Sequence, residues 1–281
     1  MSGTLFVVAT PIGNLEDITF RALRVLREVD VIAAEDTRRT AKLLTHYGIS
    51  TPAVSFHQHN TRSRLPHLIR RLERNEHVAL VTDAGTPGVS DPGVELVDAC
   101  LQRGIPVDPV PGPSASLAAA TASGFPMDPL TIFGFVPTRG KGRKAWLAQI
   151  QGVRHTFTFF EAPHRIRQTL AELGRQLGER QIFVAREISK VHQQFLRADA
   201  ASIIGRITEC RGEFTVVVGP TIEEATGINS GSDLEIFDEF RHMPQSGAGS
   251  RRQVVAELAR KHGRSPRDVY AIIERLKSSG I

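Results

Sequence analysis

The sequence predicts two α/β domains followed by a small helical appendage. Three observations carry that expectation. Short apolar runs alternate with amphipathic stretches up to residue 113, and the alternation resumes over 114–221. Between 222 and 250 the composition turns rich in Gly, Ser and Asn, as in a flexible linker. Two amphipathic stretches then occupy 251–281. Strand–helix alternation with near-continuous apolar strands implies a parallel sheet covered on both faces. At 281 residues the chain exceeds one typical domain, which suits two lobes and an appendage.

In the first unit, 5–9, 31–34, 53–56, 78–82 and 107–110 read as strands. Helices are expected over 18–29, where Phe20, Leu23 and Leu26 share a face, through Lys42 and Leu44, over the arginine-studded 65–72, and over 94–102. The second unit is expected to be of the same class. It has a small-residue helix at 114–123, a strand at 131–136 and the basic loop Arg139-Gly140-Lys141-Gly142-Arg143-Lys144. A phenylalanine-rich strand at 156–160, a helix at 165–177 and strands at 182–185 and 194–197 follow. A helix at 199–208, capped by Asp199, leads to a closing strand at 214–218.

The linker carries a short helical piece near 234–240. In the tail, Val254, Val255, Leu258 and Ala259 mark one helix, and Val269, Ile272, Ile273 and Leu276 another. Ser265 is expected to cap the second, with Pro266 at its first position. This helix–turn–helix shape suits either a packing appendage or nucleic-acid contact.

Hydrophobic residues make up 41% of the chain, enough for real cores, and charged residues 23%. No apolar run reaches the length of a membrane span, and the N-terminus lacks the basic and cleavage regions of a secretory signal. A cytoplasmic protein is therefore expected. Cys100 and Cys210 form no CxxC pair and read as buried thiols in a reducing compartment. The net charge is +5, and 29 of the 35 basic residues are arginine. Arginine binds phosphate through a planar fork, so the excess suits a polyanionic partner without requiring one.

In an open parallel sheet, ligands bind beyond the carboxyl ends of the strands. The polar, Gly- and Pro-rich segments fall at that end: 10–17, 35–38, 57–60, 83–93 and 111–115. The segment after strand four is the most informative. Gly85, Gly88 and Gly93 let backbone approach a ligand, Pro87 and Pro92 fix the shape, and eleven residues is long for a bare turn. Other chemistries fail on spacing. The glycines do not spell GxGxxG, Gly140-Lys141-Gly142 lacks the end of a P-loop, and Ser114 lacks the final glycine of a nucleophile elbow. His57 and His59 have no further ligand nearby, so no metal is expected. Glu35 and Asp36 are adjacent acids that serve either as a helix start or as functional groups at the ligand end.

Several blocks together resemble the ribosomal RNA small subunit methyltransferase I family, of the tetrapyrrole-methylase-like class. They are 9–15, Glu35-Asp36-Thr37-Arg38, 83–93, Pro111-Gly112-Pro113-Ser114-Ala115, 133–137, Glu161-Ala162-Pro163-His164-Arg165 and Arg186-Glu187-Ile188-Ser189-Lys190, in order over 4–220. The resemblance implies the tetrapyrrole-methylase type of paired α/β domain. It implies S-adenosylmethionine folded in the cleft between the two domains, a homodimer, and 2′-O-methylation of a cytidine in small-subunit (16S) ribosomal RNA, free or in the 30S particle. Implied cofactor contacts are Ile12, Gly13, Asp83, Gly85, Thr86, Pro87, Gly88, Val89, Ser114, Ala115, Phe160, Glu161 and Ala162. Two departures fall on the substrate side: Gln58 stands where the family has an acid between two histidines, and His192-Gln193-Gln194 where it tends to carry two Glu.

Methyl transfer from a sulfonium is an in-line displacement, so the enzyme mainly aligns donor and acceptor. A ribose hydroxyl must also lose its proton, which calls for a base or a nearby cation. Asp36, Glu35 and Lys190 are the candidates. Arg38, Arg39, Arg139, Lys141, Arg143 and Lys144 are expected to hold RNA phosphates. The alternatives are a tetrapyrrole C-methyltransferase of the same superfamily, which the Glu-Asp-Thr-Arg block and basic loop disfavour, and a non-catalytic RNA-binding relative.

Overall fold

The computed structural model describes residues 2–89, 91–221, 233–243, 251–262 and 264–278. Most of the expected linker, 222–232 and 244–250, lies outside the described residues, as does Gly263 in the expected turn of the tail.

The first sheet contains β1 (Leu5–Val8), β2 (Val31–Ala34), β3 (Ala53–Ser55), β4 (Val78–Val81) and β5 (Val107–Val110). Their order is β3-β2-β4-β1-β5 and every pairing is parallel. Alternate side chains feed two separate cores, as the period-two geometry of a strand requires. Leu5, Val31, Ala33, Val78 and Leu80 pack with Leu68 and Leu72 of α3 (Thr61–Glu73) and Leu96 of α4 (Val94–Gln102). Val8, Ile32, Ala34, Ala79 and Val81 pack on the opposite face, with Ala22, Val25 and Leu26 of α1 (Phe20–Glu28) and Leu44 of α2 (Thr37–His46). Helix α3 starts four residues before the expected position and runs through Pro66, despite the donor lost there.

The second sheet contains β6 (Leu130–Phe135), β7 (Thr156–Glu161), β8 (Ile182–Arg186), β9 (Gln194–Ala198) and β10 (Phe214–Val218), in the order β6-β7-β10-β8-β9. It corrects the expectation of a second unit of the same class. Only β6 and β7 pair in parallel; β7–β10, β10–β8 and β8–β9 are antiparallel. The short connection from β8 to β9 leaves no room for a crossover, so that pair can only be a hairpin. Helix α5 (Ala115–Ser123) supplies Ala119 and Ala120 to one face, against Phe183, Ala185 and Val217. Trp146 and Ile150 of α6 (Gly140–Gln151), Leu170 and Leu173 of α7 (Ile166–Leu177) and Ile203 of α8 (Ala200–Arg206) cover the other, against Phe157, Phe159 and Val216.

The expected basic loop is instead the start of α6, so its side chains radiate round a helix rather than along one strand of chain. Among the described residues the tail holds three helices, α9 (Asp233–His242), α10 (Arg251–Lys261) and α11 (Pro266–Ser278). The piece read as part of the linker is thus a structural member. Ile236, Phe237 and Phe240 of α9 join Val254, Leu258, Val269 and Ile273 in a core of their own. Ser265 Oγ accepts the Asp268 N–H and caps α11. Cys100 and Cys210 are free thiols; Cys100 is buried, whereas Cys210 is only half-buried. Among the described residues no helix is long and apolar enough to cross a membrane.

Candidate active site

Beyond the carboxyl ends of the first sheet, three loops are stitched together by hydrogen bonds. Thr10 and Gly85 exchange two hydrogen bonds, at 2.9 and 3.0 Å. The Thr10 hydroxyl donates to the Thr82 carbonyl at 3.1 Å, and the Thr86 hydroxyl to the Pro113 carbonyl at 3.1 Å. The loops after β1, β4 and β5 therefore form one rim. Gly85 sits at φ +87°, in the left-handed region where a side chain is strained. A Cβ there would reach Ile12 at 3.5 Å.

This rim faces the second sheet across a cleft of about 510 Å³. The first domain contributes Ile12, Glu35, Arg39, Asp83, Ala84, Gly85, Thr86, Val89 and Asp91, and the start of α5 adds Ser114 and Ala115. The opposite wall is Phe135, Phe160, Glu161, Ala162, Pro163 and Ile188, together with Gly212, Glu213, Phe214 and Thr215. Of the expected cofactor contacts, Gly13, Pro87 and Gly88 do not line the cleft; the other ten do. Ser114 is the N-cap of α5, so the unpaired N–H groups of that helix open towards the ligand space.

The three expected catalytic groups have different surroundings. Asp36 caps α2: its carboxylate accepts the Arg38 N–H at 2.8 Å and the Arg38 guanidinium at 2.7 and 3.0 Å. These bonds hold its carboxyl far below the usual range, and Asp36 does not line the cleft. Lys190 also lies off the cleft lining, bound to Glu187 at 2.8 Å and Glu213 at 3.0 Å. Partial burial alone would depress its ammonium, but the hydrogen bonds to the two carboxylates outweigh this and raise it. A lysine so held stays protonated and cannot act as a base. Glu35 does line the cleft, and its Oε2 accepts the Asp83 N–H at 3.2 Å. Asp83 in turn accepts the Asp36 N–H at 3.1 Å and pairs with Arg39 at 3.5 Å.

The expected phosphate-binding residues also separate. Arg39 lines the cleft. Arg38 is largely exposed but paired to Asp36. Arg139, Lys141 and Lys144 are exposed and outside the cleft. Arg143 turns inward and is buried. It binds Glu172 at 2.8 Å, the Pro137 carbonyl at 3.1 Å and the Thr169 hydroxyl at 2.8 Å, beside the fully buried Glu161. Its donors are used internally, so it is not available to RNA.

Sequence reasoning missed Ala84, Asp91, Phe135, Pro163, Ile188 and the segment Gly212–Thr215. The first five lie within motif blocks already singled out, so a signal existed. Gly212–Thr215 read only as the approach to a closing strand. Asp91 stands apart electrostatically: burial, then the nearby charges of Glu35 and Asp83, push its carboxyl up to about 7. Among the described residues, no group of three metal-binding side chains occurs; His57 and His59 stand 6.0 Å apart, ring to ring, without a third partner.

The family described as Tetrapyrrole (Corrin/Porphyrin) Methylases matches residues 4–204. The chain is 42% identical over 282 aligned residues to the Ribosomal RNA small subunit methyltransferase I of Synechocystis, covering 99% of this chain and all of that one. It is 46% identical to the protein of the same name from Thermotoga maritima, over 77% of this chain and 98% of that relative. Among solved structures, uroporphyrin-III C-methyl transferase from Thermus thermophilus, complexed with S-adenyl homocysteine, superposes with a TM-score of 0.55 at 21% identity, over 77% of this chain and 97% of that one.

Proposed function

The chain belongs to the ribosomal RNA small subunit methyltransferase I family within the tetrapyrrole methylases, and from that premise we propose that it methylates a cytidine 2′-hydroxyl of small-subunit ribosomal RNA, using S-adenosylmethionine. The observation that carries the reading is the cleft itself. It joins the Gly85 rim, the start of α5 and an acidic lining in one space.

The residues present fit the cofactor. S-adenosylmethionine carries a sulfonium and an ammonium, and five carboxylates line the cleft against Arg39. Ile12, Val89 and Phe160 offer apolar surface, and the backbone at Gly85 leaves space that a side chain would fill. The open N-terminus of α5 suits a carboxylate. Ile12, Asp83, Gly85, Thr86, Val89, Ser114, Ala115, Phe160, Glu161 and Ala162 are the residues we assign to holding it. Gly13, Pro87 and Gly88 shape the loops that do so.

When bound, S-adenosylmethionine supplies a methyl group on a good, neutral leaving group. The chain must then fix the acceptor ribose in line with it and exclude competing water. Buried Glu161 is clamped by Arg165 and Arg143, so the wall on that side is rigid. Arg39, exposed at the mouth, is placed to meet a phosphate, and Arg139, Lys141 and Lys144 extend the basic surface away from the cleft. A cytoplasmic homodimer acting on RNA or the 30S particle completes the proposal.

The test is isothermal calorimetry with S-adenosylmethionine, followed by mass spectrometry of small-subunit RNA incubated with the protein. Binding with a new 2′-O-methylcytidine supports the reading. Binding with methylation of a tetrapyrrole and none of RNA moves the protein to its superfamily relatives, and no binding at all removes the enzyme assignment.

A further inference from the structure

We propose that α10 and α11 form a second RNA-binding surface, which grips the phosphate backbone of small-subunit ribosomal RNA outside the cleft. The identity of that RNA rests on the reading of the cleft as an RNA methylation site. The inference begins from where the charge sits. Residues 251–281 hold eight Lys and Arg against three Asp and Glu, whereas the 250 residues before them hold 27 of each. The net charge of +5 therefore belongs to the segment of the last two helices. The match to the methylases ends at residue 204, so the tail is an addition to that fold, with a core of its own.

Part of this charge serves the packing of the tail. Helix α9 is acidic. Its Asp233 pairs with Arg264 at 3.4 Å and with Arg275, and its Glu239 binds Lys261 at 2.8 Å and His262 at 2.9 Å. Arg251 pairs with Glu274, and Lys277 lies over the Phe240 ring at 5.3 Å. Arg252, Arg260 and Arg267 are different. All three are exposed, and among the described residues none of them has a hydrogen-bond acceptor, an ion-pair partner or a ring.

The three stand where one polyanion can reach them. Arg252 and Arg260 lie two turns apart beside exposed Ala256, away from the buried Val254, Val255, Leu258 and Ala259. Arg267 lies in the first turn of α11. The Arg264 N–H donates to the Ala259 carbonyl at 2.9 Å and closes the turn between the helices, which keeps Arg260 and Arg267 at one end of the hairpin. Arg252 and Arg260 are about 12 Å apart along the axis. A chain of phosphates spans that distance and a single small anion does not. Unpaired like charges repel one another in the compact state, so folding gains nothing from them. A guanidinium fork fits phosphate oxygens, and such contacts fix position without reading sequence. The exposed Tyr270 ring carries Arg251 at 4.9 Å from its centre, so this surface meets phosphates in place of stacked bases.

The experiment measures binding of the full chain to protein-free small-subunit RNA and to intact small subunits, by filter retention at several salt concentrations, together with steady-state methylation. The variants are Arg252→Gln/Arg260→Gln/Arg267→Gln and the same three positions changed to Lys. A charge-matched control is Arg154→Gln/Arg175→Gln/Arg206→Gln, exposed arginines of the second domain outside the cleft. The tail Gln variant is expected to lose up to about three units from the slope of log affinity against log salt, roughly one for each phosphate contact. Its KM for RNA should rise, while kcat at saturating RNA, S-adenosylmethionine affinity and melting temperature stay at wild-type values. The Lys variant should keep most of the slope and the control all of it. Photocrosslinking of wild type to the RNA should yield peptides from 251–277. A Gln variant with the wild-type slope, equal losses in tail and control variants, or crosslinks that never include those peptides overturns the proposal. The crosslinks decide even if the Gln variant misfolds. Retention on intact subunits with none on protein-free RNA points to a protein partner and also overturns it. Tail-dependent RNA binding without any RNA methylation supports this surface and overturns the methyltransferase reading instead.

Discussion

A Cβ placed on Gly13 would stand 2.5 Å from Cγ of Lys190 and 2.8 Å from the Ile188 carbonyl. The loop after β1 in the first domain thus lies flat against the segment after β8 in the second. Glu187 and Ser189 flank Ile188 in left-handed conformations, at φ +54° and +65°. That backbone presents Ile188 to the cleft while Lys190 is tied to Glu187 and Glu213. Gly13 serves by close approach between domains, not as part of the cleft lining.

Gly13→Ala should therefore force the two domains apart by a fraction of an ångström to an ångström. Misplacement of that size at a reacting centre can cost up to about a hundredfold in turnover. We expect weaker cofactor binding and a lower melting temperature. Gly205→Ala, in α8 with nothing within 4 Å, is the control and should be neutral or stabilising by up to about 1 kcal/mol. Equal behaviour of the two variants would refute the close-approach role.

Arg143 and its neighbours on α6 make opposite predictions. Replacing Lys141 and Lys144 by Gln should flatten the salt dependence of RNA binding, by roughly one unit of log affinity per log salt for each phosphate contact removed. Folding should be unaffected, since both side chains are exposed. Arg143→Met should instead destabilise by about 3–5 kcal/mol, because it removes a partner from the buried Glu161 and the half-buried Glu172. Denaturant melts and filter binding at several salt concentrations separate the two outcomes.

Asp36 gives a third contrast. As the cap of α2 and partner of Arg38, it should be replaceable by Asn, itself a good cap, with little loss of stability. Turnover should stay within about tenfold of wild type, below the loss expected for a base. Asp36→Ala should lower the melting temperature more than Asp36→Asn. A rate loss in Asp36→Asn of about a hundredfold or more would restore Asp36 as a base.

The first domain was legible because parallel strands buried on both faces read as unbroken apolar runs, such as Val31–Ala34 and Val78–Val81. The second was legible in its elements but not in their directions. Alternation gives the succession of strands and helices, and nothing local marks that β10 inserts antiparallel between β7 and β8. The same gap hid part of the site. The rule that ligands sit at carboxyl ends holds for parallel strands. An antiparallel strand presents its amino end there: Phe214, at the start of β10, pairs with Glu161 and Arg186 at the ends of β7 and β8. Glu213 and Thr215 enter the cleft by that route. Arg143 was misread for a related reason, since a helix turns one residue of a basic run inward and a loop would not.

The pH dependence of stability tests the surroundings of Asp91 without any substrate. Its carboxyl is raised from the ordinary 3.8 to about 7 by burial and by the charges of Glu35 and Asp83. In the window between those values the folded protein keeps a proton that the unfolded chain has lost. Stability therefore falls as pH rises through that window, because the folded state binds more protons than the unfolded state. Asp91→Asn cannot ionise and should escape the penalty. We expect its melting temperature to match wild type near pH 4, to gain on it steadily as pH rises, and to exceed it by several degrees above about pH 8. Glu35→Gln, by removing one like charge, should show part of the same gain. Melting curves of the three proteins over this range read the effect. A constant difference across pH would mean that the substitution acts through packing, and a wild type that gains on Asp91→Asn as pH rises would mean that a donor satisfies the carboxylate.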